Sequence, residues 1–331
     1  METKIKRCNI LILFLFLFLI SSCSNILNKN SVNSKDIYEP NINLNAYFCP
    51  RDNCAAIIKN LVDNAESSVH CALYDLDLKE LITAIAKKSK KADVKIVIDH
   101  NNYDEQIKGP GIKVAKSKQY MHNKFCIVDN KKVLTGSFNP TTNGAIYNNN
   151  NVITIDSEYI AVNYEDEFNE LWNGIYVAGD KVKYEKISSD NLVIENYFCP
   201  EDGCKQHTID ALSDAQESIY FMTFSFTDED IADAILFKNV DIKGIFETTQ
   251  AGSKYSQYQR LKDFGLDVKK DKNKRNMHHK AFIIDRKIVL TGSFNPTGSG
   301  NFRNDENIII IHNKAIADKF LGEFNIVWNL E

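Results

Sequence analysis

The chain has 331 residues, of which 44% are hydrophobic and 25% are charged. This composition is typical of a globular protein and excludes a disordered chain, and the length is sufficient for two domains of ordinary size. The formal net charge of −4 argues against bulk attraction of nucleic acid, so any polyanion has to be bound by a local patch.

The first residues are typical of an export signal. A basic start precedes an apolar run at residues 10–20, which is too short to span a bilayer as a helix. The small residues before Cys23 resemble the lipobox of bacterial lipoproteins, in which that cysteine is lipidated after cleavage. We therefore predict a signal peptide over residues 1–22, lipidation of Cys23 and a flexible tether over residues 23–38. An uncleaved anchor or plain secretion is the alternative, and in each case the folded part lies outside the cytoplasm.

Two short cysteine pairs recur along the chain. The pattern Tyr-Phe-Cys-Pro-x-Asp-x-Cys contains Cys49 and Cys54, and it returns with Cys199 and Cys204. Outside the cytoplasm such close pairs are expected to form the disulfides Cys49–Cys54 and Cys199–Cys204. A zinc site made by the four cysteines is the alternative. Zinc knuckles usually separate their cysteines by two residues, whereas four residues separate them here.

Two further cysteines, Cys71 and Cys126, lie inside apolar, strand-like runs. Cysteine behaves as a small hydrophobic residue in such places. We therefore expect both to be buried free thiols.

The cysteine pairs begin two copies of one unit, because residues 121–141 match residues 277–297 at an offset of 156. The periodicity of apolar residues predicts the same order of elements in each copy. The first copy has helices at 55–66, 78–90 and 159–172 and strands at 69–74 and 94–98; the second has helices at 206–217, 228–237 and 314–328 and strands at 219–224 and 240–246. Alternating strands and helices predict an α/β fold in which helices cover a mixed sheet. We place the first domain at 39–177, a linker at 178–189 and the second domain at 190–331.

Each copy contains the pattern His-x-Lys-x4-Asp. The residues are His122, Lys124 and Asp129 in the first copy and His278, Lys280 and Asp285 in the second. Alternate side chains of an extended strand share a face, so the His and Lys of each pattern point the same way and His279 points away from them. Asp129 and Asp285 are an odd number of residues from the motif histidines, so in an extended strand they point to the opposite face. We interpret both aspartates as structural residues.

A hairpin is predicted after each pattern, with Asn130-Lys131 as the two-residue turn of the first copy. The resulting pairs are His122 with Asn139 and Lys124 with Ser137 in the first copy, and His278 with Asn295 and Lys280 with Ser293 in the second. Each hairpin would gather an imidazole, an ammonium, an amide and a hydroxyl on one face. These groups can attack and hold a phosphate diester.

The constellation resembles the HKD motif of the phospholipase D superfamily, and the Gly-Ser-x-Asn that follows in both copies extends the resemblance. One such pattern is weak evidence, but two copies with the same flanking sequence are specific. The resemblance covers roughly residues 45–331. It implies two tandem α/β sandwich domains related by a pseudo-twofold axis, with one active site made from both motifs and with no metal or organic cofactor. Because both motifs lie in one chain, we expect a monomer.

The resemblance also places an acidic residue soon after each Gly-Ser-x-Asn. The second copy supplies Glu306, whereas the first copy has Asn150 at that place. In two-motif members this residue orients the histidine of the opposite half, which would pair Glu306 with His122 and Asn150 with His278. A carboxylate makes its histidine the better nucleophile, so we expect a phosphohistidine at His122 and a general acid at His278.

The leading functional hypothesis is a phosphodiesterase that hydrolyses phospholipids at a membrane. The predicted anchor and the negative charge favour lipid as the partner. The alternative is a nuclease of the same superfamily, because a basic run at 269–275 could attract nucleic acid or lipid headgroups alike. Phosphatidyl transfer, as in cardiolipin synthases, and a non-catalytic phosphate-binding lipoprotein are less favoured. Those synthases usually carry membrane-spanning segments, and both motifs here are intact.

Overall fold

The computed structural model describes residues 36–105 and 107–330. The predicted signal peptide, Cys23 and most of the predicted tether lie outside these residues. Within the described part, no helix combines the length and the apolar character needed to cross a bilayer.

The first copy forms a seven-stranded mixed sheet with helices at its surface. Its elements are β1 (Ile37–Tyr38), β2 (Asn43–Cys49), α1 (Cys54–Asp63), β3 (Ser68–Leu73), α2 (Lys79–Lys88), β4 (Asp93–Asp99), β5 (Ile112–Ala115), β6 (Lys124–Val128), β7 (Lys132–Gly136), α3 (Thr142–Ile146), β8 (Asn150–Asp156) and α4 (Glu158–Asn173). The sheet has the strand order β2-β8-β7-β6-β3-β4-β5. Strand β3 lies inside this sheet, parallel to β4 and antiparallel to β6, and every one of its residues is buried.

The second copy repeats this order and adds one helix, between its strands equivalent to β4 and β5. Its elements are β9 (Lys186–Ser189), β10 (Leu192–Cys199), α5 (Cys204–Ser213), β11 (Ser218–Thr223), α6 (Glu229–Leu236), β12 (Asp241–Phe246), α7 (Tyr258–Asp263), β13 (Asp267–Lys270), β14 (Lys280–Ile284), β15 (Ile288–Gly292), α8 (Gly298–Phe302), β16 (Glu306–His312) and α9 (Lys314–Trp328). The sheet has the order β1-β9-β10-β16-β15-β14-β11-β12-β13. Every helix and strand predicted from the sequence is present, with ends displaced by no more than four residues.

Two segments predicted to be irregular are partly strand. Strand β1, at the end of the predicted tether, pairs in parallel with β9, at the end of the predicted linker. Strand β9 also pairs with β10. Both segments are short and polar, so their apolar pattern is weak, and their strand structure comes from pairing at a sheet edge. The domain limits at 177 and 190 stay a prediction.

The core is arranged in layers on both faces of each sheet. One hydrophobic cluster contains residues from both sheets and from α4 and α9, among them Phe125, Phe168, Phe198 and Phe324. A second cluster lies between the first sheet and helices α1 and α2, and a third lies between the second sheet and helices α5, α6 and α7. Helices that cover mixed sheets in this way confirm the predicted α/β class.

The close cysteine pairs form the disulfides Cys49–Cys54 and Cys199–Cys204. Each joins the end of a strand to the first turn of the following helix, and these bonds exclude the zinc alternative.

The prediction of free thiols at Cys71 and Cys126 is wrong, because these residues form a third disulfide. They lie directly opposite each other on the antiparallel strands β3 and β6, with their Cα atoms 4.1 Å apart. The pairing of these distant strands was not visible in the sequence. By loop-closure entropy, closing this long loop stabilises the fold by about 4 kcal/mol, against about 2 kcal/mol for each short loop.

The hairpin after the first motif has a register one residue away from the predicted one. Asp129 and Asn130 have positive φ angles of 55° and 52° and form the turn, which the bond from Lys131 N to Val128 O closes at 3.1 Å. Val128 then pairs with Lys132, so Lys131 is an extra residue outside the ladder. Asp and Asn tolerate this left-handed conformation, which is why the turn begins at the aspartate.

The second hairpin has the same geometry, since Ile284 pairs with Ile288. The predicted cross-strand pairs are therefore wrong: His122 with Asn139, Lys124 with Ser137, His278 with Asn295 and Lys280 with Ser293. A one-residue slip reverses which side chains share a face. The hairpins consequently do not gather each set of four groups by themselves.

Candidate active site

Backbone hydrogen bonds between the two copies bring the motifs together. The N–H of His122 donates to the carbonyl of Asp305 at 2.9 Å, and the N–H of His278 donates to the carbonyl of Asn149 at 2.8 Å. Asp305 and Asn149 are themselves equivalent by the offset of 156, so the two exchanges are reciprocal. They place both histidines, each 8% exposed, in one cleft of about 700 Å³.

His122 is held by a carboxylate from the other copy. Its Nδ1 lies 2.7 Å from Oε2 of Glu306, which also accepts a hydrogen bond from the Ser293 hydroxyl at 2.8 Å. Asn304 donates to the other carboxylate oxygen at 3.1 Å. Because Nδ1 is directed at the acid, Nε2 is left to face the cleft, and no hydrogen bond engages it within the described part of the chain.

His278 is held by neutral groups from the first copy. Its Nδ1 lies 3.0 Å from Oδ1 of Asn150 and 3.1 Å from the backbone carbonyl of Ser137. Asn150 in turn donates to the carbonyl of Gly144 at 3.1 Å, which fixes the orientation of its amide. The Nε2 of His278 is engaged as well, since the ammonium of Lys280 lies 3.1 Å away. The crossed pairing of the histidines is thus the one expected from the sequence, and the two imidazoles have different surroundings.

The motif lysines are almost completely buried. Lys124 and Lys280 are 1% and 2% exposed, and each donates to the carbonyl of its own motif histidine, at 2.6 Å and 3.0 Å. Burial lowers the pKa of Lys124 to about 7, and it lowers the pKa of Lys280 well below the usual range, with a further contribution from the charge of Lys124. Burial disfavours the charged form of both lysines, so an anion that enters the cleft and stabilises their ammonium forms is bound preferentially.

These charges also act on the imidazoles and on Glu306. Burial, followed by the positive charges of Lys124 and Lys280, lowers the pKa of His122 well below its usual value, and the same causes act on His278. Burial raises the pKa of Glu306 to about 7, although Lys124 opposes this shift. At neutral pH both histidines are therefore neutral in the free protein, which is the form required of a nucleophile.

Ser137, Ser293 and Asn295 lie at the site, and their contacts differ from those that the predicted hairpin pairs required. Ser137 presents its backbone carbonyl to His278, and Ser293 presents its hydroxyl to Glu306, so each serves the motif of the opposite copy. The side-chain oxygens of Asn139 and Asn295 are buried and have no hydrogen-bond partner among the described residues. Both amides are therefore uncommitted groups, and that of Asn295 lines the cleft.

Asp129 and Asp285 lie away from the cleft. Asp129 accepts hydrogen bonds of 2.7 to 3.1 Å from the backbone N–H groups of Glu66, Ser67 and Ser68. Asp285 accepts the equivalent bonds from residues 216–218. Burial raises the pKa of each aspartate, but these donors outweigh it and lower the pKa overall. Both carboxylates fasten the hairpin turn to the start of β3 or β11.

Three groups at the site were not identified from the sequence. The Tyr74 ring lies against His122, with ring centres 4.6 Å apart and Lys124 Nζ 4.8 Å from its centre. Phe224 lies in the same way against His278, at 4.7 Å. Asn304, which supports Glu306, is the third. Tyr74 and Phe224 directly follow β3 and β11, so their place at the strand ends was the only sequence feature that pointed to them.

His279 faces away from the cleft, as expected from strand parity. Its Nε2 lies 3.0 Å from Glu323, and its Nδ1 lies 3.2 Å from Asn151. Glu323 also binds Arg51. These contacts join the start of β14, helix α9 and the first copy into one polar network.

Among the described residues, one group of carboxylates is close enough to share a metal ion. Oxygens of Glu167, Glu170 and Glu201 lie within 4.8 Å of one another. Burial, which comes first, and the neighbouring acids raise the pKa of Glu167, and burial raises that of Glu201 to about 7. None of the three lines the cleft that contains His122. This cluster therefore contributes no ligand to the phosphate site.

Comparison with known proteins identifies the family. The sequence profile described as "Cardiolipin synthase, PLD-like domain" matches residues 58–172 and again residues 208–328. These two matches together cover more than half of the chain. The chain therefore belongs to the phospholipase D family. Each match contains one of the two motifs that meet in the cleft.

The relatives agree with this assignment. The phospholipase D of Rickettsia felis is 31% identical over 47% of this chain and 81% of its own length. The mitochondrial cardiolipin hydrolase of Chlamydomonas reinhardtii is 28% identical over 42% of this chain and 74% of its own. Among solved structures, the phosphatidylserine synthase of Haemophilus influenzae Rd KW20 has a TM-score of 0.67 at 13% identity and covers 84% of this chain and 85% of its own, which shows a shared fold. The protein is a phosphodiester hydrolase of the phospholipase D type.

Proposed function

We propose that this protein hydrolyses phospholipids, with His122 as the nucleophile and His278 as the general acid. The observation that carries the proposal is the crossed pairing in one cleft, of His122 with Glu306 and of His278 with Asn150. The pairing gives one imidazole a free Nε2 and a carboxylate to stabilise its cationic form. The other imidazole has neutral partners and a neighbouring ammonium.

In the first step, Nε2 of His122 attacks the phosphorus atom and the bond from phosphorus to the headgroup oxygen breaks. Lys280, whose Nζ lies 3.1 Å from Nε2 of His278, passes a proton to that nitrogen, and His278 gives it to the leaving oxygen. Glu306 stabilises the positive charge on the phosphorylated imidazole. In the second step, water attacks the phosphorus while His278 accepts its proton, and phosphatidic acid leaves with His122 restored.

The remaining groups suit the charge that develops on the phosphate. The buried ammonium groups of Lys124 and Lys280, with the amides of Asn139 and Asn295, supply fixed donors for the non-bridging oxygens. Such preorganised donors neutralise the phosphate without a cofactor. We therefore propose that activity needs no metal ion.

A lipid substrate is favoured over nucleic acid by two considerations. The relatives described above are named phospholipase D and mitochondrial cardiolipin hydrolase. The chain also has a net charge of −4, which disfavours a long polyanion. The nuclease alternative keeps one supporting feature, the exposed basic side chains between β13 and the second motif.

The substrate is tested by offering the purified full chain, in parallel, phosphatidylglycerol and cardiolipin vesicles, single-stranded DNA and double-stranded DNA. We expect headgroup release from vesicles, no cleavage of DNA, and unchanged rates in the presence of a chelator. Cleavage of DNA without headgroup release would contradict the lipid proposal. Loss of activity with the chelator, restored by zinc or calcium, would contradict the metal-free mechanism.

We further propose that the protein is an exported lipoprotein that acts as a monomer at a membrane, with Cys23 as its attachment point. The Cys23→Ser variant should then leave the membrane fraction and lose the mass of the lipid on its N-terminal peptide. Wild-type protein whose N-terminal peptide carries no lipid would refute the anchor. A wild-type particle mass of two chains would refute the monomer.

A further inference from the structure

Two exposed apolar side chains lie at equivalent places in the two copies, each a few residues before a residue whose carbonyl binds a motif histidine. Phe302, the last residue of α8, is 67% exposed, and Ile146, the last residue of α3, is 55% exposed. The two residues are related by the offset of 156. Gly298, Ser299 and Arg303, on either side of Phe302, line the cleft itself. Ile146 lies three residues before Asn149, which binds His278, as Phe302 lies three residues before Asp305, which binds His122. This equivalence places an apolar residue of each copy beside the opening.

Aromatic residues with a neighbouring cation extend this border. Tyr255, 66% exposed, lines the cleft, and Lys254 lies 4.7 Å from the centre of its ring. Tyr147 follows Ile146, and the guanidinium of Arg275 lies 5.3 Å from its ring. Arg303 follows Phe302 and is held by the Ser299 hydroxyl at 2.6 Å. Tyr147 and Tyr255 thus each have a cation at the ring, and Phe302 has one next to it in the sequence.

The charge of this border is opposite to that of the whole chain. Segments 142–149, 250–257, 272–277 and 297–304 contain no aspartate or glutamate, although the chain has 44 acidic residues and a net charge of −4. The same four segments contain Lys254, Lys272, Lys274, Arg275 and Arg303. All five of these residues are exposed. The surface around the cleft is therefore positive and partly apolar, unlike the rest of the chain. Such a surface is complementary to a partner that is negatively charged and also apolar.

We propose that this rim, formed by Ile146, Tyr147, Tyr255 and Phe302 with the adjacent cations, is a bilayer-binding surface for anionic phospholipid. The proposal rests on the phospholipid substrate argued above. Exposed Phe and Ile side chains gain free energy by entering the acyl region, Tyr suits the boundary between headgroups and chains, and Lys and Arg attract anionic headgroups. Docking by this face aims the cleft at the plane that contains the phosphodiester.

A bilayer fits the rim better than a strand of nucleic acid does. Bases stack on flat aromatic rings, and the aliphatic Ile146 offers none. Tyr147, Tyr255 and Phe302 do offer rings, but the exposed aliphatic side chain of Ile146 is stabilised by an apolar phase and not by a nucleotide backbone. Because Ile146 and Phe302 belong to opposite copies, a flat bilayer surface can contact both side chains at the same time.

The first experiment locates the surface in the bilayer with tryptophan probes. Phe302→Trp and the control Phe237→Trp are compared as full chains on phosphatidylcholine vesicles that contain brominated lipid, with or without phosphatidylglycerol. Phe237 is 84% exposed and lies at the C-terminal end of α6. The N-cap of that helix, Asp228, accepts a hydrogen bond from Asn301 of α8, so Phe237 is at the end of α6 away from the rim. Both chains carry the same N-terminus, so any attachment there is equal.

We expect the fluorescence of Phe302→Trp to be quenched, more strongly with phosphatidylglycerol, and that of Phe237→Trp to change little. Equal quenching of the two variants would overturn the surface. A fluorescence change of Phe302→Trp on single-stranded DNA but not on vesicles would also overturn it, in favour of a nucleic-acid surface.

The second experiment separates the surface from the chemistry. The variant Ile146→Ser/Phe302→Ser should hydrolyse vesicle phospholipid about tenfold more slowly or worse, while its rate on a monomeric short-chain phospholipid stays within about twofold. The control Phe237→Ser/Phe264→Ser changes neither rate. Equal loss on both substrates would overturn the surface. Quenching at position 302 without hydrolysis of any phospholipid would leave the surface standing and reject the substrate.

Discussion

The His122→Ala variant should form no covalent intermediate with any phosphodiester, whereas His278→Ala should accumulate one. The reason is that His122 offers a free Nε2 backed by the Glu306 carboxylate, while the Nε2 of His278 is engaged by Lys280. With a nitrophenyl ester, whose leaving group needs no proton, His278→Ala should form the adduct at close to the wild-type rate. Its hydrolysis should be slow, because the base that activates water is missing. With an alkyl headgroup, the loss of the general acid should cost about 10²- to 10⁴-fold.

The measurement is peptide mapping of the acid-labile adduct after rapid quenching. The matched control is His312→Ala, because His312 is at the opposite end of β16 from Glu306, binds Glu195 and lies outside the cleft. This control should leave both steps unchanged. Phosphate recovered on His278 of the wild-type protein would reverse the assignment of the two histidines.

The sequence predicted the elements and the chemistry of this site better than its spatial assembly. Strong apolar periodicity located β3, β11 and the closing helices α4 and α9, since these elements are buried and their patterns are continuous. The duplicated motif located both histidines. Local patterns of this kind depend on nearest neighbours along the chain, so one sequence is enough to detect them.

Features that depend on pairing between distant segments were missed. The disulfide between Cys71 and Cys126 requires β3 and β6 to be neighbours, which no local pattern indicates. The shifted hairpin depends on Asp129 adopting a positive φ, which the alternation of apolar residues does not report. Ser137 was placed with Lys124 for that reason, although its carbonyl serves His278 of the other copy.

The difference between Glu306 and Asn150 gives the second large effect. Glu306→Gln keeps the shape of the side chain but removes the charge that stabilises a cationic phosphohistidine, so the adduct should form about 10²- to 10⁴-fold more slowly even with a nitrophenyl ester. Asn150→Ala disturbs only the partner of His278, and with that same ester it should cost less than tenfold. With an alkyl headgroup both variants should be slow. Equal losses in the two variants with the nitrophenyl ester would show that the carboxylate charge has no special role.

The pH profile separates this electrostatic role from a structural one. The pKa of Glu306 is raised to about 7, so its negative charge, and with it the rate, is lost as the pH falls through 7. The pKa of Lys124 is lowered to about 7, so its positive charge is lost as the pH rises through the same value. The wild-type rate of adduct formation should therefore peak near pH 7, while Glu306→Gln keeps only the alkaline fall. The variant should unfold at the wild-type temperature, because a neutral amide in a buried place needs no compensating charge. A lower unfolding temperature with an unchanged profile would instead make Glu306 a structural residue.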